Sequence, residues 1–494
     1  MLANARLSPN SAKQGWLKRG AAFMQAKQFA QASDCYAEAL KQFPTDAHLH
    51  YCKGVALHQN KQLTEAASSY SQALQLNPKL VEAFENLAEA QTELQLFDDA
   101  LLSVRAAIQL QPNRAISYTR LARILIRLGK YTDAIQASTH ALQLDPKSAT
   151  TYLIRSNAHR GLNELKQSIA DLHKAIALDP NNPEYLYNMS FDLLLNEEFD
   201  EGWTCYEARF QTENFLKSTP QMVSPRWHGA ESLEGKTIVI CPEQGLGDQI
   251  QFGRYALILK GMGAHVIMPV APSLVDIMQS MHPDIHVTSS LISATDLPHH
   301  DFHVPLMSLL GIFKTDLSSI PCADRYISPN ATIAAQWAIR FANTSKLQVG
   351  ITWSGNPIHV NDHNRSMSLA QLRPLFDLDV DWHILQTEIR PADEALLPHT
   401  PLKDWRAELS SLHETAGLLD QLDLLITVDT SVAHLSAALG KPTWLMLPFA
   451  PDFRWLLNRS DSPWYPSVQL FRQPQPADWA SVVTHVCDTL TQPC

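Results

Sequence analysis

The sequence predicts an α-helical solenoid over roughly its first 210 residues, followed by a doubly wound α/β region. Three observations carry this. A 34-residue period runs through the first part, it ends at a proline-rich joint, and β-branched runs followed by glycine loops take over beyond the joint.

The period comes first. Pro44, Pro78, Pro112, Pro146 and Pro180 stand in one 34-residue register, the spacing of a helix-pair repeat. Alanine recurs at 39, 73, 107, 141 and 175. Small residues recur at Gly20, Gly54, Ala88, Ala122 and Ser156, and again at Ala32, Ala66, Ala100, Ala134 and Ser168. Large rings fill Trp16, Phe84, Tyr118 and Tyr152, with His50 the exception. Antiparallel helices approach closely only where side chains are small, so these columns mark helix crossings, and each proline ends the second helix of its pair. The pattern resembles the tetratricopeptide repeat over residues 13–182, after a tail at 1–12. A degenerate sixth unit (Leu186, Leu193, Phe199, Gly202, Tyr206) within 183–225 is expected to cap the stack. Glu82, Glu85, Glu89, Arg120, Arg123, Asn157 and Arg160 are expected on the groove face, where a solvated helix surface is the plain alternative.

After KSTPQMVSPRWHG (217–229) the period vanishes. KTIVICP (236–242) and AHVIMPV (264–270) read as buried strands around a helix from about Gln249 to Lys260. The pattern restarts at LQVGITW (347–353), with further strands at DWHILQ (381–386), LDLLITV (422–428) and PTWLMLP (442–448). Two Rossmann-like lobes, 226–340 and 341–494, are expected, with a ligand cleft between the C-terminal ends of their strands.

Three segments could carry chemistry there. In Glu243-Gln244-Gly245-Leu246-Gly247-Asp248, Gln244 and the two glycines bring backbone close to a ligand at a helix start. Asp248 is either a helix cap or a general base taking a proton from an acceptor hydroxyl. A dinucleotide fingerprint is disfavoured, because the next acid after the second strand is only Asp276. Asp429-Thr430-Ser431-Val432-Ala433-His434 opens a second helix, whose N–H groups and dipole suit a leaving diphosphate. Capping by Asp429 or Thr430 and a buried His434 are the plain alternatives. Trp353, Ser354, Gly355 and Asn356 begin a polar loop running to Arg365, whose guanidinium can grip two phosphate oxygens. His359 and Lys441 are weaker candidates.

Together EQGLGDQIQFGRY (243–255), WSGNP with NRS (353–366) and DTSVAHLSAALGKPTWLMLPFAPDFRW (429–455) resemble the ADP-heptose-type (heptosyltransferase-like) glycosyltransferases of the GT-B fold. The whole chain resembles the bacterial branch with tetratricopeptide repeats in front. The resemblance implies an inverting transferase with Asp248 as catalytic base and the Asp429–His434 helix start holding the donor diphosphate. One departure stands out: heptosyltransferases place a lysine near the phosphates, whereas this chain has none between Lys346 and Lys403. Arg365 is the candidate substitute. The architecture is also similar to the O-linked N-acetylglucosamine transferases, whose repeats line a groove with asparagine. Here that column reads Lys18, Cys52, Asn86, Arg120, Ile154 and Asn188.

Composition narrows the remaining classes. A net charge of −11 with interspersed acids and bases argues against a nucleic-acid partner. Seven scattered cysteines without CxxC spacing argue against a disulfide framework or zinc knuckle and fit a reducing cytoplasm. The N-terminus MLANARLSPN lacks an apolar h-region, and no apolar run is long enough to span a bilayer. Asp377, Asp379 and Asp381 form a DxD-like run, but before a strand. His299, His300 and His303 lack a neighbouring Cys or Glu. No metal and no cofactor are expected. The leading expectation is a cytoplasmic, metal-independent glycosyltransferase using a nucleotide-sugar donor. Its acceptor, a protein or saccharide, is recruited by the repeat groove. The alternative is a repeat-based adaptor with an inactive nucleotide-sugar-binding domain.

Overall fold

The structure, a computed structural model, describes residues 9–218, 222–290, 296–342, 345–359 and 361–492. Most of the N-terminal tail, part of the 217–229 joint and Cys494 lie outside these residues. The chain divides into two compact units, Met1–Pro180 and Asn181–Cys494.

The first unit is a solenoid of helical hairpins. Its helices run Pro9–Gln25, Phe29–Gln42, Ala47–Gln59, Leu63–Leu76, Val81–Glu93, Phe97–Leu110, Ala115–Arg127, Tyr131–Leu144, Ala149–Gly161 and Leu165–Leu178. Each periodic proline sits two residues beyond the end of a second helix, at Pro44, Pro78, Pro112, Pro146 and Pro180. Both small columns of the second helices are sealed: Ala32, Ala66, Ala100, Ala134 and Ser168, with Ala39, Ala73, Ala107, Ala141 and Ala175, are all 0% exposed.

The first-helix column is matched in size to its neighbour. A Cβ on Gly20 would lie 2.3 Å from the Tyr36 ring, and one on Gly54 2.6 Å from the Tyr70 ring. In the next repeat alanine takes the place of glycine and the facing residue shrinks to match: Ala88 packs in one cluster with Val104. A second periodic feature is conformational. Lys27, Lys61, Gln95, Gly129 and Asn163 hold positive φ, one in each hairpin turn. The tight turn demands the left-handed conformation whether or not glycine is present.

The second unit begins with a helix pair, Pro183–Leu195 and Phe199–Tyr206, whose turn repeats the positive φ at Glu197. Two parallel sheets follow. The first contains β1 (Thr237–Cys241), β2 (His265–Val270), β3 (His286–Ser289) and β4 (Phe302–Pro305), in the order β3-β2-β1-β4. The second contains β5 (Gln348–Thr352), β6 (Asp381–Ile384), β7 (Lys403–Asp404), β8 (Leu424–Val428), β9 (Thr443–Leu447) and β10 (Val468–Arg472), in the order β10-β9-β8-β5-β6-β7. Strand order reverses between β1 and β4 in the first sheet and between β5 and β8 in the second. Parallel α/β sheets open their crevices at such reversals. The loops leaving β1, β5 and β8 are the three segments singled out in the sequence.

All six strands expected from the sequence are present. The four that were not expected, β3, β4, β7 and β10, are the edges of the two sheets. The helix expected over Gln249–Lys260 begins earlier, at Leu246, and is broken at Arg254 into Leu246–Gly253 and Tyr255–Gly261. No helix among the described residues is long and apolar enough to cross a membrane.

A buried histidine titrates the second sheet. His383 in β6 is 1% exposed. Its Nδ1 accepts from the Trp405 indole at 3.0 Å and its Nε2 faces Gln348 Oε1 at 2.9 Å. Because an indole only donates, the neutral Nε2–H tautomer is required. Burial, with Lys403 adding repulsion, lowers the pKa of His383 to about 4.

This packing sets two expected outcomes. His383 in the unfolded chain takes up its proton before the folded one, so its stabilisation is complete above about pH 6.5 and lost as pH falls towards 4. The melting temperature should drop over that window, by the equivalent of up to about 3 kcal/mol, and His383→Gln should flatten the slope. In the solenoid, Gly54→Ala should cost about 1–3 kcal/mol by overpacking against Tyr70. In circular-dichroism melts the double variant Gly54→Ala/Tyr70→Val, which copies the next repeat, should recover much of that loss.

Candidate functional site

The loop leaving β1 is built on a buried ion pair. Arg209, 0% exposed, donates to both oxygens of Glu243 at 2.8 and 3.0 Å and stacks on the ring of Phe210. Glu243 Oε1 also accepts from the Met307 amide at 3.1 Å. This anchoring holds Gln244 at φ +63°, with its side-chain amide donating to Tyr206 Oη at 3.3 Å.

From there the helix Leu246–Gly253 starts. Asp248 reaches back one turn, and its Oδ2 accepts from the Gly245 amide at 2.9 Å. The capping role is real, but only one oxygen performs it. Oδ1 accepts from Arg454 Nη2 at 2.7 Å, across to the second sheet. Gly247 is required by a close approach, since a Cβ there would lie 2.6 Å from His434 Cδ2.

His434 lies in the helix Ser431–Ala438 after β8 and is 2% exposed. Its Nδ1 meets Tyr465 Oη at 3.1 Å, its Nε2 lies 3.7 Å from Asp429 Oδ1, and its ring stacks on Trp455. The Asp429 carboxylate does not cap this helix. Oδ2 accepts instead from the Trp455 indole at 2.9 Å. Burial would raise the pKa of Asp429, but the His434 contact, the Arg454 charge and the indole hydrogen bond overcome it and hold the carboxyl at about 2. Thr430, at the N-cap position, makes no capping hydrogen bond with its side chain. No side-chain cap therefore closes the start of this helix, which is flanked by half-buried Thr430 and Ser431.

The loop leaving β5 divides into a buried root and an exposed tip. Trp353 and Ser354 are root: their amides donate to Gln386 Oε1, and the Trp353 indole donates to Asp393 at 2.9 Å. Asn356 closes a local turn by accepting from the Ile358 amide at 2.9 Å. Gly355 is a close-approach position, where a Cβ would lie 2.7 Å from Arg365 Nη2. Arg365 then donates to the Asp429 backbone carbonyl at 3.2 Å. His359 feels Arg365, Asp362, Asp429 and Asp452, and burial is the main reason its pKa is lowered.

These contacts join the three segments into one continuous cluster. Gly355 meets Arg365, Arg365 meets Asp429, Asp429 meets His434, and His434 meets Gly247. Asp429 also connects through Trp455 to Arg454 and on to Asp248. Trp353 and Ser354, both buried, lie behind this cluster, while exposed Gln244 is hydrogen-bonded to Tyr206. Lys441 sits at the far end of its helix, where it binds the Asp420 carbonyl. Asp379 and Asp381 pair with Lys346 and Lys403, while His300 and His303 bind backbone carbonyls.

Arg454 and Trp455 end the 429–455 motif, but the sequence assigned neither of them a role. A signal was present: in FAPDFRWLL a single arginine stands among apolar residues with only Asp452 beside it, so it needs a distant carboxylate. Its position is fixed by Arg472, which donates to the carbonyls of Trp455, Leu456 and Arg459. Burial, with Arg459 nearby, lowers the Arg472 pKa to about 10.

In the solenoid, the expected groove charges are largely spent on one another. Glu85, 2% exposed, accepts from Arg114 at 2.8 Å and Ser117 at 2.6 Å, while Glu89 pairs with Arg120 and Arg123. Asn86 bridges Tyr51 and Arg120. The Asn-column position Ile154 is buried.

Comparison with known proteins agrees with this division. Residues 17–81, 62–115, 85–149 and 149–182 match the tetratricopeptide repeat. Residues 407–444, which include Asp429–His434, match glycosyltransferase family 9 (heptosyltransferase). Protein FlbA of Caulobacter vibrioides is 24% identical over 371 residues, 68% of this chain, and the match spans 60% of that protein's length. Among solved structures, the APC/C hetero-tetramer Cut9-Hcn1 is 15% identical over 42% of each chain, with a TM-score of 0.38. A thermophilic tetratricopeptide repeat protein of Thermus thermophilus is 22% identical over 34% of this chain and 92% of its own, with a TM-score of 0.32. The chain thus carries a tetratricopeptide-repeat solenoid followed by a parallel-sheet α/β region, one stretch of which is similar to glycosyltransferase family 9.

Proposed function

We propose that the chain is an inverting, metal-independent glycosyltransferase whose two sheets are the lobes of a GT-B fold. One observation carries the reading: Asp248 and the uncapped start of the Ser431 helix belong to different sheets, yet meet in one cluster with Arg365 and Arg454. Base and leaving-group site are thereby set side by side. The donor diphosphate lies at the first N–H groups of the Ser431 helix, with Arg365 supplying positive charge where the related enzymes use lysine. Asp248 takes the proton of an acceptor hydroxyl as its oxygen bonds to the anomeric carbon. The bond from that carbon to the diphosphate breaks, and the electron pair leaves with the phosphate. The developing charge is met by helix N–H groups and guanidinium. The tetratricopeptide repeats recruit the acceptor, a protein or a saccharide.

A second reading is a repeat-based adaptor whose nucleotide-sugar site no longer reacts. The observation favouring it is the ion pair to Arg454, which engages an oxygen of the proposed base. The similarity of residues 407–444 to a transferase family and the joining of all three motifs favour the enzyme.

Thermal shift with UDP, GDP, ADP, CMP, dTDP and their common sugars, with and without EDTA, tests the donor site. A ligand at a hundred times its dissociation constant stabilises by roughly 2.7 kcal/mol. One hit insensitive to EDTA is expected, silence across the panel would overturn the donor site, and a hit without turnover would favour the adaptor. Asp248→Asn should abolish turnover of the donor so identified without weakening its binding. Equal loss of binding and turnover would make Asp248 a structural cap alone.

A further inference from the structure

Arg454 is placed unlike any other cation of the site. Its three nitrogens bind three different groups: Nε donates to Asp452 at 2.8 Å, Nη1 to Gln251 at 3.2 Å and Nη2 to Asp248 at 2.7 Å. It stands on the short turn Phe453–Trp455 of the second-sheet side, whereas Gln251 and Asp248 belong to the helix after β1. The next residue, Trp455, is the one whose indole holds Asp429. The turn Phe453–Trp455 therefore links the proposed base, through Arg454, to Asp429 at the start of the proposed diphosphate site, through Trp455, and the Arg454 side chain is only 11% exposed.

Two charge requirements compete for it. Asp248 carries a carboxylate that needs a partner when half-buried, and an incoming diphosphate needs cations at the Ser431 helix. Arg365 alone is a thin supply, because it already donates to the Asp429 carbonyl and lies near Asp362. The turn bearing Arg454 is anchored at its backbone by Arg472, so an exchange of partners falls to the side chain alone. An oxygen accepting from a guanidinium also cannot receive a proton on that same lone pair.

We infer that Arg454 is a displaceable clamp on the base, which a nucleoside diphosphate draws from Asp248 to its own phosphates. This rests on the transferase reading above. Donor binding then does two things at once: it seats the diphosphate, and it frees Asp248 Oδ1 to take the acceptor's proton. Arg454 keeps its charge throughout, exchanging the Asp248 carboxylate for the phosphates. The order of events follows, donor before acceptor, and the base is held back until a donor is in place.

The clamp makes a prediction opposite to that of a fixed strut. If Asp248 competes for Arg454, neutralising it strengthens diphosphate binding. Titration calorimetry on the full chain, with UDP, GDP, ADP, CMP, dTDP and inorganic pyrophosphate as probes, reads this directly. Asp248→Asn should bind the nucleoside diphosphate about three- to tenfold tighter than the wild type, the scale of losing one partly buried competing ion pair. Arg454→Gln should bind it at least about tenfold more weakly, with Arg454→Lys recovering part of the loss as a point charge. Circular-dichroism melts identify any variant that fails to fold, and the Asp248→Asn result stands independently of the Arg454 variants. Unchanged binding by Asp248→Asn, in a protein whose wild type binds a nucleotide, overturns the clamp and leaves the transferase reading standing. Weaker binding overturns the clamp and, with turnover lost in the same measure, also removes Asp248 as the base. No binding of any probe by wild type or variant overturns both.

Discussion

The second unit depends on one close approach: the helix after β1 lies against the helix after β8 at the point where Gly247 meets His434. A side chain at 247 would collide with the imidazole, so the helices could not meet there. Once they meet, His434 is sealed between Gly247, Trp455 and Tyr465, and Asp429 is left facing a buried ring and an indole. That environment keeps the Asp429 carboxylate charged and spends it away from the helix start. The helix start is left without a side-chain cap.

The same seam carries a second tie. Arg254, 2% exposed, donates to the carbonyls of Trp464 and Pro321 and to Tyr326 Oη. Tyr326 in turn donates to the Ile250 carbonyl at 2.9 Å. Buried guanidiniums are tolerated where every nitrogen finds an acceptor, and Arg209, Arg254, Arg454 and Arg472 each satisfy that condition differently. Arg209 is neutralised by Glu243, Arg254 and Arg472 bind mainly carbonyls, and Arg454 faces carboxylates from several elements. A site framed by fixed guanidiniums and one shared guanidinium can hold its loops in place and still respond to an anion.

The solenoid uses charge for a different purpose. Glu85, Glu89, Arg114, Arg120 and Arg123 connect one repeat to the next, so residues that read as a recognition face also stiffen the stack. Size matching does the rest, glycine against tyrosine in the first two repeats and alanine against valine in the third.

By itself the sequence determined whatever a short window contains. The 34-residue register specified the helical hairpins because each repeat buries the same columns. The six interior strands were legible because a strand covered on both faces must be apolar throughout. The glycine loop, the Trp353 loop and the Asp429 helix start were legible as strand-to-helix transitions. Only the tertiary structure decided the rest. The edge strands β3, β4 and β7 are short and partly exposed, β10 carries polar Gln469 and Arg472, and all four take their pairing from a neighbour that local composition does not name. Trp353 and Ser354 are buried because their partners, Gln386 and Asp393, lie far along the chain. Arg454 stands 206 residues from Asp248, and no local pattern records which carboxylate a buried cation will find, because that is fixed by how the two sheets pack.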